Sequence, residues 1–540
     1  MAELSGASSF SSLPVEMKAN IFASIRDKAT NAAVRLVNHE WRDIITPMSF
    51  SNLTIVSDNV TPEMLNTLLE PGNGVIPHVK SLYIARSGTE KLYDACDYST
   101  EIMLMTIVNE LPKGALCALA GEVNLSTGMM FHLLQNQTKI KRLDVLFNLG
   151  LDTANVSYAH GAHESWISSR LASIESLTVM PDDMGSEQCK AAGLLVRSAP
   201  NLKELRIVTR PDCLSLMAYP DRPEARPDWA VFGGPSESGS APPQLKLSRM
   251  SLGQVVLGRR AAALMQGNID LSKLRCLQLV GCESIVDLMT VLAPVCNLTK
   301  LNITMARNSS PLEYTIRAVE ALLKSFNSLE KLWLDMADGR MVDISCISRH
   351  TSLRQLGIDG QITDRVPFYP PKDLEKLLKS LPYLEGLAVH FPRQSLHPIR
   401  DPNPLSYPMP DRPGSDMIFD QKTLLTHIAA HPHLKHLRLL SPPDIHYTRA
   451  NFVPDREPDA VDFAALDEMV MQHYTAQMLY YLSSSGSRVQ VLGGEPVKEK
   501  EGDVLGKLKE VAVPMKIGPG MLFNTVFKQM FDVGGGLGRA

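Results

Sequence analysis

Apolar residues recur along this chain in one short arrangement, apolar-x-x-apolar-x-apolar. It stands at Phe50-Leu53-Ile55, Val79-Leu82-Ile84, Ile140-Leu143-Val145, Ile174-Leu177-Val179, Leu202-Leu205-Ile207 and Leu247-Met250-Leu252. It returns at Leu274-Leu277-Leu279, Leu298-Leu301-Ile303, Leu329-Leu332-Leu334, Leu353-Leu356-Ile358, Leu384-Leu387-Val389 and Leu434-Leu437-Leu439. Twelve occurrences are too many for chance. The closing apolar-x-apolar step has the two-residue period of a strand buried on one face. The residues before a match have another period: Leu374, Leu377, Leu378 and Leu381 are three and four apart, as are Ile316, Val319, Leu322, Leu323 and Phe326. That spacing predicts helices. Each unit is therefore a helix, a tight turn and a short strand, which cannot cover its own apolar face and must stack on its neighbours.

First positions at 274, 298, 329, 353 and 384 are 24 or 31 residues apart, centred on the period of about 20–29 residues that marks leucine-rich repeats. The gap from Val79 to Ile140 is about two repeats long, which predicts a degenerate copy around Leu116 and Leu119. Cys282 in LQLVGC and Asn148 in DVLFN fill the Asn/Cys position of the repeat, where a small polar side chain hydrogen-bonds the turning backbone. The expected fold class is α/β: a leucine-rich-repeat solenoid over 50–440, a horseshoe with parallel strands inside and helices outside. Two stretches rich in Pro, Gly and Ser, 210–244 and 391–418, read as loops inserted into the array. Beyond 440 the pattern fades into a helical run, ALDEMVMQHYTAQMLYYL, and a strand-like segment around Val489 and Val491. Residues 441–540 are expected to hold a terminal cap and a tail, and residues 1–12 to be disordered.

Residues 13–48 differ from all that follows. Pro14 suits the start of a helix, Glu16 complements the positive end of its dipole, and Met17, Ile21 and Ile25 line one face with Phe22 beside them. Two more helices fit Thr30 to Val37 and Asn38 to Ile45, the second carrying Trp41. A unit of this size is below the roughly 40 residues at which a domain stands alone, so it needs a partner or the rest of the chain. The order Leu13-Pro14-x-Glu16, Ile21, Leu36-Val37, Trp41-Arg42 resembles an F-box. With the repeats behind it, the chain resembles the F-box/leucine-rich-repeat family of SCF ubiquitin ligase substrate receptors, in a divergent, fungal-like form. The resemblance implies that the module docks on a Skp-family adaptor, and through it a cullin, by Leu13, Pro14, Ile21, Leu36, Val37 and Trp41. The repeats would then hold an unknown protein substrate. A protein-interaction scaffold outside any ligase is the alternative. Asn31, Ala32 and Ala33 depart from the family by replacing larger apolar residues, which weakens such a dock.

Composition narrows the partners further. Lys+Arg 54 against Asp+Glu 58 leaves a net charge of only -4, which calls for neither nucleic acid nor membrane. The eight cysteines form no Cys-x-x-Cys pair and read as free thiols, so a cytoplasmic or nuclear location is expected. His427, His431, His433 and His436 are spread over a helix and a strand entry, a poor metal set, and Gly534–Gly536 with Gly538 has no helix after it to make a phosphate loop. No catalytic motif is found and no cofactor is called for, so the expectation is a non-enzyme.

In the repeat strand the residues between leucines line the opposite face. They run Thr54, Tyr83, Asp144, Thr178, Arg206, Ser251, Gln278, Asn302, Trp333, Gly357, Ala388 and Arg438. Arg249, Lys300 and Lys331 flank this row on one side, Asp335 and Asp359 on the other. Tyr83, Arg206, Arg249, Lys300, Lys331, Trp333, Asp335, Asp359 and Arg438 are the candidates for substrate contact, centred on Trp333 and suited to an acidic or phosphorylated segment.

Overall fold

The computed structural model describes residues 13–25, 27–56, 60–70, 74–85, 98–148, 169–179, 192–193, 195–208, 244–305, 312–336, 340–360, 368–392, 395–396, 419–440, 444–445, 478–489 and 491–494. The expected disordered start, nearly all of both inserted loops and most of the region after 440 lie outside the described residues. The chain divides into two compact units, Met1–Leu247 with Gly267–Ile269, and Ser248–Gln266 with Asp270–Ala540.

The first unit opens with three helices, α1 (Val15–Ala23), α2 (Lys28–Val34) and α3 (His39–Ser49). Side-chain caps set two of the starts: Asp27 accepts the Thr30 N–H at 2.7 Å, and Asn38 accepts that of Trp41 at 2.8 Å. α2 therefore starts two residues earlier than its apolar pattern suggests and stops at Val34, leaving Leu36 and Val37 in the turn. α1 also faces differently from its pattern. Its buried stripe is Lys18 and Phe22, whereas Met17 and Ile21 are exposed. The Phe22 ring lies 5.4 Å from that of Trp41, and the Lys18 ammonium bonds Glu40 at 2.6 Å, so a charge-tolerant contact occupies the space between α1 and α3.

Six parallel strands follow, each paired with the next: β1 (Asn52–Val56), β2 (Ser81–Ala85), β3 (Ala118–Ser126), β4 (Arg142–Asn148), β5 (Ser176–Val179) and β6 (Glu204–Val208). The second apolar positions lie side by side: Leu53, Leu82, Leu119, Leu143, Leu177 and Leu205. The degenerate copy is a full member, because Leu116 and Leu119 are buried and β3 pairs on both sides. Its weak pattern has a local cause. Gly121, at φ +144°, stands where the third apolar residue belongs, and a Cβ there would overlap the Ile84 carbonyl. The register of β3 against β4 then shifts between Ala120 and Asn124.

The second unit repeats the scheme with β7 (Arg249–Gly253), β8 (Cys276–Cys282), β9 (Lys300–Met305), β10 (Lys331–Asp335), β11 (Gln355–Asp359) and β12 (Gly386–Val389). A two-residue β13 (Ser395–Leu396) pairs with β15 (Asp444–Ile445), while β14 (His436–Leu439) and β16 (Val491–Gly494) extend the main sheet beyond β12. The strand foreseen near Val491 thus adds to β14 in parallel. Met250, Leu277, Leu301, Leu332, Leu356, Leu387, Leu437 and Leu492 form an unbroken ladder across these strands, and all are buried. Parallel pairing requires a crossover, and the helices Leu312–Ser325 and Pro371–Ser380 supply two of them, burying Val319, Leu322, Leu323, Leu374, Leu377 and Leu378 as their spacing foretold. None of the described helices is long and apolar enough to cross a membrane.

Candidate functional site

The three-helix module leaves apolar groups on its surface. Leu36 is 82% exposed, Val37 56%, Val15 53%, Met17 51% and Ile21 41%. Pro14 is exposed and Leu13 half-buried, while Trp41 is half-buried against Phe22. Of the six residues singled out in the sequence, Pro14, Ile21, Leu36 and Val37 present surface, Leu13 is half-buried, and Trp41 supports the helices through its contact with Phe22. Val15 and Met17 join the exposed set, Met17 on the same face as Ile21.

Lateral register assembles the sheet-face candidates of the second unit. Ser251, Gln278, Asn302, Trp333, Gly357, Ala388 and Arg438 are neighbours strand by strand. The Trp333 indole lies over Gly357 so closely that a Cβ there would overlap the ring. The Arg438 guanidinium stands 6.0 Å from the ring centroid, within cation–π range. The row thus carries a flat aromatic plate whose seat is a glycine. Sequence reading placed Trp333 and Gly357 in the row but had no means of seeing that one requires the other.

Two positions earlier in each strand, Arg249, Cys276, Lys300, Lys331, Gln355, Gly386 and His436 form a second row. Lys300 and Lys331 are register partners. Burial lowers the Lys331 pKa below the ordinary lysine value, and the Lys300 charge beside it acts in the same direction. On the other side Asp335 pairs in register with Asp359. Asp359 is already engaged, accepting a hydrogen bond from buried His390 at 2.8 Å and one from the Gly360 N–H at 2.7 Å. The face therefore runs from cationic to anionic across its width.

In the first unit, Tyr83 is half-buried, and Arg206 follows Thr178 in register. Thr178 donates a short hydrogen bond to Asp144, and Asp144 also pairs with Arg142 at 2.9 Å. Tyr83 on β2 and Arg206 on β6 stand four strands apart along a row whose middle is thus internally neutralised, whereas the remaining candidates gather in the second unit.

The cysteine and histidine candidates have backbone duties. Cys282 donates from Sγ to the Leu252 carbonyl at 3.2 Å, the role expected of the Asn/Cys position, and burial pushes its thiol up to about 12. The Asn148 side chain lies outside the described residues. His431 donates from Nε2 to the Leu381 carbonyl at 3.0 Å and accepts the His433 N–H on Nδ1, which fixes a neutral ring whose pKa burial lowers. Among the described residues no three His, Cys, Asp or Glu side chains gather as a metal site.

No protein-family model matches the chain, and no curated protein does. Two of the solved structures that are similar to it are the following. One is the crystal structure of the Rad7 and Elc1 complex in yeast, 12% identical, covering 81% of this chain and 87% of that one with a TM-score of 0.34. The other is the TLR13–ssRNA13 complex, 12% identical, covering 72% of this chain and 54% of the other with a TM-score of 0.26, so the chain spans about half that protein's length. Superposition this loose carries no argument, and the parallel α/β repeat architecture rests on the strands and ladders described above.

Proposed function

We propose that the chain is the non-catalytic substrate-recognition adaptor of an SCF-type E3 ubiquitin ligase, its F-box-like module docking on a Skp-family adaptor and its leucine-rich repeats holding a protein substrate, in cytoplasm or nucleus. One observation supports this reading above the rest: Ile21, Leu36 and Val37, which the F-box resemblance marks for docking, are apolar and open to solvent on a module with almost no buried core. Exposed aliphatic side chains of this size gain about 25 cal/mol per Å² when a partner covers them.

The test uses the intact chain as bait for the adaptor and a cullin. Trp41→Ala is a poor probe, because losing the Phe22 contact disturbs the helices themselves. Leu36→Asp changes only a turn residue. Recovery of both partners by the wild type, and of neither by Leu36→Asp, is the expected result. Recovery of the adaptor without a cullin points instead to a scaffold outside the ligase, and recovery of neither defeats the proposal.

A further inference from the structure

Three helices connect the first strands of the repeats: α4 (Pro62–Leu69), α5 (Tyr98–Glu110) and α6 (Thr127–Asn136), each packed beside the next. α5 is apolar on both of its faces. Met103, Leu104, Ile107 and Val108 are buried, yet Ile102 is 60% and Met105 41% exposed. A helix that is apolar all round is normally covered on every side. On neighbouring α4, Met64 is 58% exposed and no residue is buried. The polar groups of α5 are already engaged: Thr106 donates to the Ile102 carbonyl at 2.8 Å, Asn109 meets His132 Nε2 at 2.7 Å, and Glu101 accepts the Ser126 N–H. In the second unit the exposed apolar residues Val280, Val295, Tyr314, Tyr383 and Tyr480 are scattered, no two on one helix or strand, which is ordinary for a protein surface.

Charge selects the occupant. No lysine or arginine lies on α4, α5 or α6, while Glu63, Glu70 and Glu110 are exposed and form no ion pair among the described residues. Glu70 caps the C-terminus of α4 and Glu110 ends α5, where the helix dipole is negative and a carboxylate is unfavourable. Outer helices of the second unit carry both signs instead, pairing Glu313 with Arg317 and Glu375 with Lys379. The cations next along the chain, Lys113 and Lys139, stand in the turns after α5 and α6. A second copy would bring the same carboxylates to the same face, and an anionic lipid surface would meet like charge. We propose that the wall of α4 and α5 docks a basic amphipathic helix of a protein partner, its apolar face on Met64, Ile102 and Met105 and its Lys or Arg side chains over Glu63, Glu70 and Glu110. The two methionines adapt their unbranched chains to such a helix. This surface belongs to the repeats rather than the three-helix module, so it goes beyond the adaptor docking proposed above.

The probe is a fluorescein-labelled helical peptide of about 18 residues, with leucines at helical spacing on one face and lysines on the others, titrated into the full chain at an ionic strength of about 0.1 M and followed by anisotropy. Saturable binding is expected. Ile102→Gln/Met105→Gln should weaken it at least about tenfold, and Glu70→Gln/Glu110→Gln about threefold or more. The matching changes on the second unit, Tyr314→Gln/Tyr383→Gln and Glu313→Gln/Asp373→Asn, should leave it unchanged. Thermal unfolding verifies that each variant folds, and Met64→Gln replaces the apolar pair if that pair does not. No binding by the wild type, equal weakening by the matching variants, or equal binding of a scrambled peptide or of one with glutamate in place of lysine overturns the inference. So does a wild-type dimer in sedimentation that Ile102→Gln/Met105→Gln dissociates, or binding of phosphatidylserine vesicles that the same pair abolishes, because the face then belongs to a second copy or to a membrane. Leu36→Asp should bind the peptide as the wild type does. Peptide failure alongside adaptor recovery therefore defeats only this inference, and peptide binding without adaptor recovery defeats only the ligase role.

Discussion

Leu36, in the turn after α2, is 82% exposed, whereas Leu332, in the middle of β10, has no exposure at all. The same side chain meets opposite surroundings because the two regions bury apolar area by different means. In the helical module, Phe22 and Ile45 are the buried apolar residues, and Lys18 takes a third inner position. In the repeats each leucine has a counterpart one strand away on either side, so every added unit completes the burial of the one before it. A stacked array makes its own core, while a three-helix unit of this length leaves much of its apolar surface for something else to cover. Stability is thus concentrated in the ladders, and exposed apolar surface in the module.

The contrast is broken most severely by truncating a ladder residue. Leu332→Ala should cost about 2–5 kcal/mol in urea unfolding, because rigid neighbours on both sides cannot collapse into the space. Acid weakens the repeats through His350, which is buried beside Phe326 and whose pKa burial holds down at about 4, against the ordinary 6.5. The unfolded chain then binds this proton more readily than the folded one. Stability is full above pH 6.5 and falls as pH drops toward 4, by on the order of 3 kcal/mol for this group, and His350→Asn should flatten that part of the profile relative to wild type. Gly357→Ala should cost about 1–3 kcal/mol and shift tryptophan emission, since the new methyl displaces the Trp333 ring. Adding Trp333→Ala removes the clash, so the double variant should lose less than the two single losses together.

The module should behave otherwise. Glu40→Ala takes a carboxylate from the buried Lys18 ammonium and should cost about 1 kcal/mol, more than Lys18→Met, which removes the charge that needs it. Leu36→Asp should alter stability by less than about 0.5 kcal/mol while abolishing adaptor recovery. If Leu36→Asp instead unfolds the chain as Leu332→Ala does, the two regions do not differ as argued here.

Much of this was legible in the residues. The leucine positions named both the strands and their inward faces, because a strand alternates with period two and only one phase of it can be apolar. The degenerate copy at Leu116 and Leu119 was harder to see, since Gly121 gives up the third apolar residue to let the Ile84 carbonyl approach. Among the sheet-face candidates, the row membership of Trp333, Gly357 and Arg438 followed from counting. Their stacking did not, since residues 333, 357 and 438 become neighbours only through pairing across strands. In the module, helical spacing placed Met17 with Ile21 on one stripe, and that Lys18 and Phe22 form the covered stripe was not legible from the spacing.

The sequence by itself determined which residues enter the core of each repeat and in what order the repeats follow, because hydrophobic periodicity is a local property that survives without knowledge of neighbours. Only the tertiary structure decided which side of α1 is covered and which glycine carries the tryptophan. Those facts depend on contacts between distant segments, and a pattern along one strand or helix has no term for what is packed against it.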